Sequence, residues 1–360
     1  MTTPLISELL RLLREQGFDL RWYAGKRVLV TGGAGFIGSW LVETLVKLDS
    51  HVLVVDDLSR GSLRNLKSND GQALIDISKQ FLQGDLRDPR LAGTACEWAK
   101  PDLVFHLADV VAGVDYVLTH ESEIFNANVR INSNTFAALR AGTDAGLVYV
   151  GTACSYPRSL QRMTGAPPLT EDQTFPADPE SAYGWSKLMG EYEAELFAKE
   201  TRRPVGILRL HNVYGPRAIL SMRRSQVIPS LIRKAARYPE EDFVVWGSGQ
   251  QTRDFVFVCD VIEALLRVAV VGMGKGVIQI STASETSVSD LAALIVVTSG
   301  KRIPISFDRS KPEGDRGRSG DYSRAKRLLG WEPRTSLERG IKATYEWARE
   351  ELLAGVDLEG

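Results

Sequence analysis

Val28-Leu-Val-Thr-Gly-Gly-Ala-Gly-Phe-Ile-Gly38 is the stretch whose reading decides the fold. It opens as an apolar, β-branched run, the pattern of a strand buried on both faces. It breaks into glycines and resumes as Ser39-Trp-Leu-Val-Glu-Thr-Leu-Val-Lys-Leu48, with apolar residues at helical spacing. Strand, glycine turn and helix together make a place for phosphates. Glycine lets backbone N–H groups approach a pyrophosphate closely, and a helix N-terminus adds partial positive charge. Gly33, Gly35 and Gly38 satisfy G-x-G-x-x-G, and Gly32, Gly35 and Gly38 satisfy G-x-x-G-x-x-G. A glycine string alone fits a structural turn equally well; its context points further. A second strand, His51-Val-Leu-Val-Val-Asp56, ends in an acid 24 positions after Gly32. There a carboxylate takes the ribose hydroxyls of a dinucleotide.

Working outward, strands and helices alternate from Lys26 onward. Further strands are expected near 80–83, 102–107, 147–151 and 204–209, with helices over 128–141 and 181–201 between them. Repeated βα units imply a parallel, doubly wound sheet of Rossmann type, with ligands beyond the carboxyl ends of the strands. After Arg209 the chain carries more Pro, Gly and Arg and its elements shorten. The expected organisation is a helical extension over 1–25, a dinucleotide-binding domain over 26–210, and a smaller mixed α/β substrate domain over 211–360. Elements near 254–282 are expected to return to the first domain. Leu5, Ile6, Leu9, Leu10 and Leu13 mark one face of a short N-terminal helix, read as packing on the core or, as the alternative, binding a partner.

Bulk properties narrow the function. The 360 residues carry a formal charge of −1 with 44% hydrophobic and 25% charged residues, an ordinary globular balance. That balance makes no electrostatic case for nucleic acid or an anionic membrane. No apolar run is long enough to span a bilayer. Three scattered cysteines, Cys96, Cys154 and Cys259, argue against a disulfide framework and for a reducing cytoplasm. The four histidines show no metal-ligand spacing, so no metal is expected.

Tyr183-Gly-Trp-Ser-Lys187 is the second signal. On a helix, positions i and i+4 share a face. An ammonium beside a phenol favours the phenolate and is expected to lower the Tyr183 pKa toward the working range. Such a base can take the proton of a sugar hydroxyl as hydride leaves to an oxidised nicotinamide. Unrelated surface Tyr and Lys are the bland alternative; a glycine turn upstream favours catalysis.

The glycine turn, the Tyr183/Lys187 pair and Leu208-Arg-Leu-His-Asn-Val-Tyr-Gly-Pro216 together resemble the extended short-chain dehydrogenase/reductases, NAD-dependent epimerases and dehydratases of nucleotide sugars. The resemblance runs from about Lys26 to Trp347. It implies NAD as cofactor and a nucleotide-diphosphate hexose (UDP-, GDP-, dTDP- or CDP-linked) as substrate. It also implies a homodimer built from the helices around 128–141 and 183–200. In Val150-Gly-Thr-Ala-Cys-Ser-Tyr-Pro157 the family's catalytic hydroxyl falls on Thr152. The 4,6-dehydratases have Asp and Glu at the next two positions, and the decarboxylases have Glu at the second. Here stand Ala153 and Cys154, so both reactions are disfavoured.

A cysteine at that place is similar to the GDP-mannose 3,5-epimerase branch. The likeness extends to Leu107-Ala-Asp-Val-Val-Ala-Gly-Val-Asp115, Trp246-Gly-Ser-Gly-Gln-Gln-Thr-Arg253 and Pro312-Glu-Gly-Asp-Arg-Gly-Arg318. Once C4 is a ketone the hydrogens on C3 and C5 are acidic, and a thiolate can remove one. The alternative for Cys154 is a small buried apolar residue. The chain departs from the branch in two places. The branch's acidic Lys is missing from Arg217-Ala-Ile-Leu-Ser-Met-Arg-Arg-Ser-Gln226, where Arg223 and Arg224 are the nearest cations. Val110, Val111 and Ala112 replace its Met and Gly. A 4-epimerase needing only Thr152, Tyr183 and Lys187 stays open.

The resemblance also distributes the binding roles. Gly32, Gly35, Phe36, Ile37 and Gly38 cradle the pyrophosphate. Asp56 takes the ribose, favouring NAD over NADP, with Arg60 keeping NADP open. Asp85 and Leu86 flank the adenine, and Leu107 and Ala108 line the cofactor. Asn128 holds the loop beneath it, and Tyr183 and Lys187 face the nicotinamide. Asn212, Arg253 and Arg316 bind substrate, the arginines clamping its diphosphate, with surface ion pairing as the alternative for each. Other readings are a 4,6-dehydratase, a decarboxylase or a keto-sugar reductase of the same fold. From a different class comes a non-catalytic dinucleotide sensor, which would not need the base.

Overall fold

A computed structural model describes residues 2–68, 71–111, 113–221 and 225–355. Ala112, Arg223 and Arg224 lie outside the described residues. Seven strands make one wholly parallel sheet: β1 Arg27–Thr31, β2 His51–Asp56, β3 Phe81–Gln83, β4 Leu103–His106, β5 Gly146–Thr152, β6 Val205–Leu210 and β7 Val277–Ile280. Their order is β7-β6-β5-β4-β1-β2-β3. The reversal lies between β1 and β4, where Val28 pairs with Val52 on one side and Leu103 on the other. At such a switch point the loops diverge and leave a crevice.

Alternation along the strands feeds two cores. Val28, Val30, Val52, Val54, Phe105 and Val148 pack on one face. Leu29, Leu53, Val55, Val104, Leu147 and Tyr149 pack on the other. A sheet covered on both faces needs apolar side chains at successive positions, so β1 reads as an unbroken run. Helix α1, Thr2–Glu15, buries Ile6, Leu9, Leu10 and Leu13 in the first core. Helix α2, Phe36–Val46, follows the glycine turn. Helices α3 Pro89–Ala99, α4 Glu121–Gly142 and α5 Ala182–Thr201 cover the second face. Helix α4 begins seven residues before the expected 128; its first three residues, Glu121, Ser122 and Glu123, are polar, and Ile124 is its first buried position. Past β6 the short pairs 212–214 with 255–257, 252–253 with 286–287, and 244–246 with 306–308 build a lid over the carboxyl edge. Asp254 joins lid to sheet: its carboxylate accepts from Thr282 N at 2.9 Å, Thr282 Oγ1 at 2.7 Å and Gly320 N at 3.4 Å.

Helix α5 is anchored by a buried ion pair. Arg209 of β6 forks onto Glu191, Nε to Oε1 at 3.1 Å and Nη2 to Oε2 at 2.5 Å, while Nη1 donates to Thr174 Oγ1 at 2.8 Å. The side chains are 1% and 3% exposed. The guanidinium also stacks on Tyr156, 4.5 Å from the ring centre. Replacing Glu191 with Ala strands the Arg209 charge out of water. The expected cost is about 3–5 kcal/mol in urea unfolding, with a Glu191→Leu/Arg209→Met double variant recovering most of it.

Candidate active site

The carboxyl ends of the strands open onto a cleft of about 520 Å³, bordered by Gly32, Asp56, Asp85, Leu107, Thr152, Cys154, Tyr183, Asn212 and Arg253 among others. Its floor at one end is the glycine turn. Gly32 has φ +69°, and a Cβ there would sit 3.0 Å from the Ala108 backbone. A Cβ on Gly38 would lie 2.1 Å from Gly32 O. A side chain at either point closes the cradle. Gly35 starts α2, and the N–H groups of Phe36, Ile37 and Gly38 have no carbonyl one turn back. Asp56 Oδ2 accepts from Ala34 N at 3.0 Å and Oδ1 from Leu58 N at 2.8 Å, which fixes the carboxylate beside the turn. Burial pushes its pKa up, against the pull of those N–H groups. The donor set therefore fits a dinucleotide: bare N–H groups for phosphates and a fixed acid for a diol.

Asp85 and Leu86 border the same end, with Asp85 held by Arg87 Nε at 2.7 Å. Leu107 N and Ala108 N both donate to Thr31 Oγ1 at 3.2 Å. Asn128 is fully buried. Its Oδ1 accepts from Val110 N at 2.6 Å and its Nδ2 donates to Val110 O at 3.1 Å, so it pins the loop after β4.

Thr152 ends β5 and Tyr183 opens α5. Ser181 caps the helix, Oγ accepting from Gly184 N at 3.2 Å. A Cβ on Gly184 would meet Cys154 O at 2.2 Å, so only glycine lets the helix start this close to the β5 turn. The closeness sets Thr152, whose Oγ1 accepts from Cys154 N at 3.3 Å, and Tyr183 in the wall of one cleft. Lys187, one turn on, is buried over the Tyr149 ring at 4.8 Å.

One expectation is overturned. Lys187 does not draw the Tyr183 pKa down; it stands well above the usual phenol value, through burial first and then Asp109. Asp109 Oδ2 lies 3.2 Å from Lys187 Nζ and accepts from Tyr183 OH at 3.4 Å. Its charge offsets the ammonium and opposes a phenolate. Burial opposes the Lys187 charge too, yet Tyr149 and Asp109 hold its pKa above the ordinary value. Asp109 was not singled out from the sequence, although it stands in a quoted motif one residue past the end of the cofactor-lining pair.

The substrate end differs in detail as well. Asn212 lines the cleft. Arg253 does too, but its guanidinium donates to Thr252 O and Asp315 O at 2.7 Å and Glu313 O at 3.1 Å. Burial lowers its pKa to about 10. Arg316 is not among the cleft residues: it is 54% exposed and pairs with Glu313 at 3.1 Å. The bridge between Leu169 and Gly320 fixes the path of this segment and turns Arg318 inward instead. Arg318 is 7% exposed, meets Asp315 Oδ2 at 3.3 Å and Gln161 Oε1 at 2.9 Å, and faces Cys154. Its Nε has no partner among the described residues. Glu180 borders the same end, and burial followed by the neighbouring Asp315 raises its pKa to about 7. Of the three thiols, Cys154 is the half-exposed one in the cleft; burial pushes Cys96 up to about 11 and Cys259 well above the ordinary value. Among the described residues no His/Cys/Asp/Glu group could hold a metal. None of their helices is long and apolar enough to cross a membrane.

Removing the Asp109 charge relieves Tyr183 of a neighbouring anion, so Asp109→Asn should lower the phenol pKa. The phenolate absorbance that disappears on adding Tyr183→Phe should titrate at lower pH in the Asn variant than in the native background. An unchanged or higher midpoint removes Asp109 from the control of Tyr183.

Comparison with known proteins agrees with this geometry. Residues 28–280 match the model of the NAD dependent epimerase/dehydratase family. The chain is 31% identical over 340 residues to GDP-mannose 3,5-epimerase 1 of Oryza sativa subsp. indica, covering 93% of this chain and 85% of that protein. It is 32% identical over 324 residues to UDP-glucose 4-epimerase of Mycolicibacterium smegmatis, covering 90% and 98%. The structure of UDP-glucose 4-epimerase from Thermotoga maritima with UDP-glucose superposes with a TM-score of 0.79 at 30% identity, covering 90% and 99%. Relatives at similar identity are also named as a reductase and a decarboxylase. The chain belongs to the NAD-dependent epimerase/dehydratase family, enzymes of nucleotide sugars built on the Rossmann fold of the extended short-chain dehydrogenase/reductases.

Proposed function

We propose that this enzyme is a nucleotide-sugar epimerase that oxidises the C4 hydroxyl of a hexose transiently, inverts C5 or C3, and restores the hydroxyl. The observation that carries the reading is the end of β5. Thr152 borders the cleft together with Tyr183, the next residue is a buried alanine, and the one after is a half-buried thiol in the same cleft. No carboxylate stands at either position to eliminate water or assist decarboxylation. Bound NAD supplies the hydride acceptor and donor. Thr152 orients the sugar hydroxyl, and Tyr183 takes its proton and later returns it. Lys187, one helical turn from Tyr183, supplies positive charge beside the phenol. Cys154 removes the proton next to the ketone. Asn212, Arg253 and Arg318 face the diphosphate, with Arg316 left outside. The 31% identity to a GDP-mannose 3,5-epimerase supports this chemistry. The resemblance to two UDP-glucose 4-epimerases supports inversion at C4 as the second reading, which needs no thiol.

We infer the division into an NAD domain over 26–210 and a sugar domain over 211–360, and a location in the reducing cytoplasm, where a thiol base stays reduced. We further infer a homodimer. Trp185, Met189 and Tyr192 on α5 are 38%, 47% and 61% exposed, and spacings of four and three residues set them along one helix face. Such a stripe is what a second copy covers.

Incubation with a panel of UDP-, GDP-, dTDP- and CDP-hexoses in deuterated water tests the reaction. Deuterium at C5 or C3 of the product is expected; inversion at C4 without solvent deuterium selects the second reading. Tyr183→Phe should lower kcat by about 10²–10⁴; unimpaired turnover rejects the redox route. Tyr192→Glu should convert a dimer to a monomer in sedimentation velocity, and an unchanged species rejects that interface.

A further inference from the structure

A buried tyrosine that holds on to its proton makes a poor base. Burial, then Asp109 and Cys154, keep the Tyr183 pKa well above the ordinary value. A neutral phenol accepts a proton only as it gives its own away. The acceptor for that second proton lies beside it: Tyr183 OH donates to Asp109 Oδ2 at 3.4 Å. Catalytic hydrogen bonds are often this long before substrate binds and tighten in the loaded site. Lys187 Nζ sits 3.2 Å from the same carboxylate oxygen. An ammonium has no lone pair, so Lys187 cannot take the proton itself. The chain holds Asp109 from both sides. Before it, Leu107 N and Ala108 N both donate to Thr31 Oγ1 at 3.2 Å. Thr31 Oγ1 meets His106 Nδ1 at 2.8 Å, and His106 Nε2 meets Asn132 Oδ1 at 3.1 Å. After it, Asn128 binds Val110 N at 2.6 Å and Val110 O at 3.1 Å. Thr31, His106, Asn128 and Asn132 are all buried. A carboxylate carried on a backbone tied at both neighbours is fixed against the phenol before any substrate arrives, and Asp109 borders the same cleft as Thr152 and Tyr183.

We propose that Asp109 is a catalytic residue, the acceptor of the proton that Tyr183 relays from the sugar hydroxyl. The assignment rests on the transient C4 oxidation proposed above, and it holds whether C3, C4 or C5 is inverted. As hydride leaves C4 for bound NAD, the sugar O–H breaks and its proton goes to the Tyr183 oxygen. In the same step the Tyr183 O–H breaks and its proton goes to Asp109 Oδ2. The C4–O bond becomes the ketone, Tyr183 stays a neutral phenol, and Asp109 becomes an un-ionised acid. Positive charge is lost at the nicotinamide and negative charge at Asp109, so the net charge of the site is unchanged. Return of the hydride reverses both proton transfers and restores the carboxylate. No phenolate forms, and that is the state which burial and Asp109 oppose. The titratable groups facing Asp109 are Tyr183 and Lys187 from α5 and Tyr149 from β5; Tyr183 also faces Cys154.

Two measurements on the full-length NAD-loaded protein test this. The first needs no Asp109 variant. The Tyr183 phenolate absorbance, identified by its loss in Tyr183→Phe, should titrate well above the pH at which kcat reaches its plateau. The sugar for kcat is the one turned over from the panel of UDP-, GDP-, dTDP- and CDP-hexoses. A kcat that rises with the phenol midpoint overturns the relay, and so does a midpoint at or below neutral pH with no sugar present. The second measurement separates the two routes by sign. A phenolate base gains from losing the neighbouring anion, so Asp109→Asn would leave its kcat at neutral pH equal or higher. The relay loses its acceptor, so kcat should fall by about 10²–10⁴ even though the phenol midpoint moves down. Asp109→Glu, which restores a carboxylate, should recover part of the loss. Native or higher turnover in Asp109→Asn overturns the proposal. The underlying reading fails separately: full turnover in Tyr183→Phe removes the redox route itself, whereas an inactive Tyr183→Phe beside a fully active Asp109→Asn removes only the relay.

Discussion

The proposed catalytic set depends on how closely the helix 182–201 meets the strand 146–152. Three glycines permit it. A Cβ on Gly151 would strike the Glu191 carboxylate, one on Gly184 the Cys154 carbonyl, and one on Gly190 the Tyr149 hydroxyl. Each contact would fall at 2.0–2.3 Å, where backbone or a buried side chain cannot give way. The Arg209–Glu191 pair then holds the helix down from the neighbouring strand. Hence Tyr183 and Lys187, which any helix could carry, arrive beside Thr152 and Cys154.

The two ends of the cleft work on different principles. At the glycine-turn end the backbone forms the cradle, so the requirement falls on the absence of side chains at Gly32 and Gly38 and on one fixed acid, Asp56. At the other end charged side chains line the cleft from distant segments: Glu180 before the helix, Arg253 from the lid, and Asp315 with Arg318 from a late loop. Asp254 ties these segments together through Thr282 and Gly320. A lid cross-linked in this way holds buried charges at fixed separations, and fixed separations are what set proton affinities.

Legibility follows the same division. The glycine turn, Asp56 and the Tyr183/Lys187 spacing are local patterns, and each could be read from a few dozen residues. Asp109 could not. Its weight comes from lying 3.2 Å from a lysine 78 positions later, and no periodicity encodes that. It adds to burial, the larger cause, in raising the Tyr183 pKa, the direction opposite to the one expected from Lys187. Arg316 and Arg318 present the same difficulty in another form. Both are arginines two residues apart in a glycine-rich loop, and composition cannot say which turns inward.

By itself the sequence determined the class of sheet, the glycine turn, the Tyr183/Lys187 spacing, and the missing carboxylates at 153 and 154. These depend on residue type and short-range spacing, which the chain carries in one dimension. Tertiary structure alone decided which charges face one another: Asp109 against Lys187, Asp315 against Glu180, Arg318 rather than Arg316 at the thiol. Electrostatic energy depends on separation and burial, and both exist only after the lid has closed on the sheet.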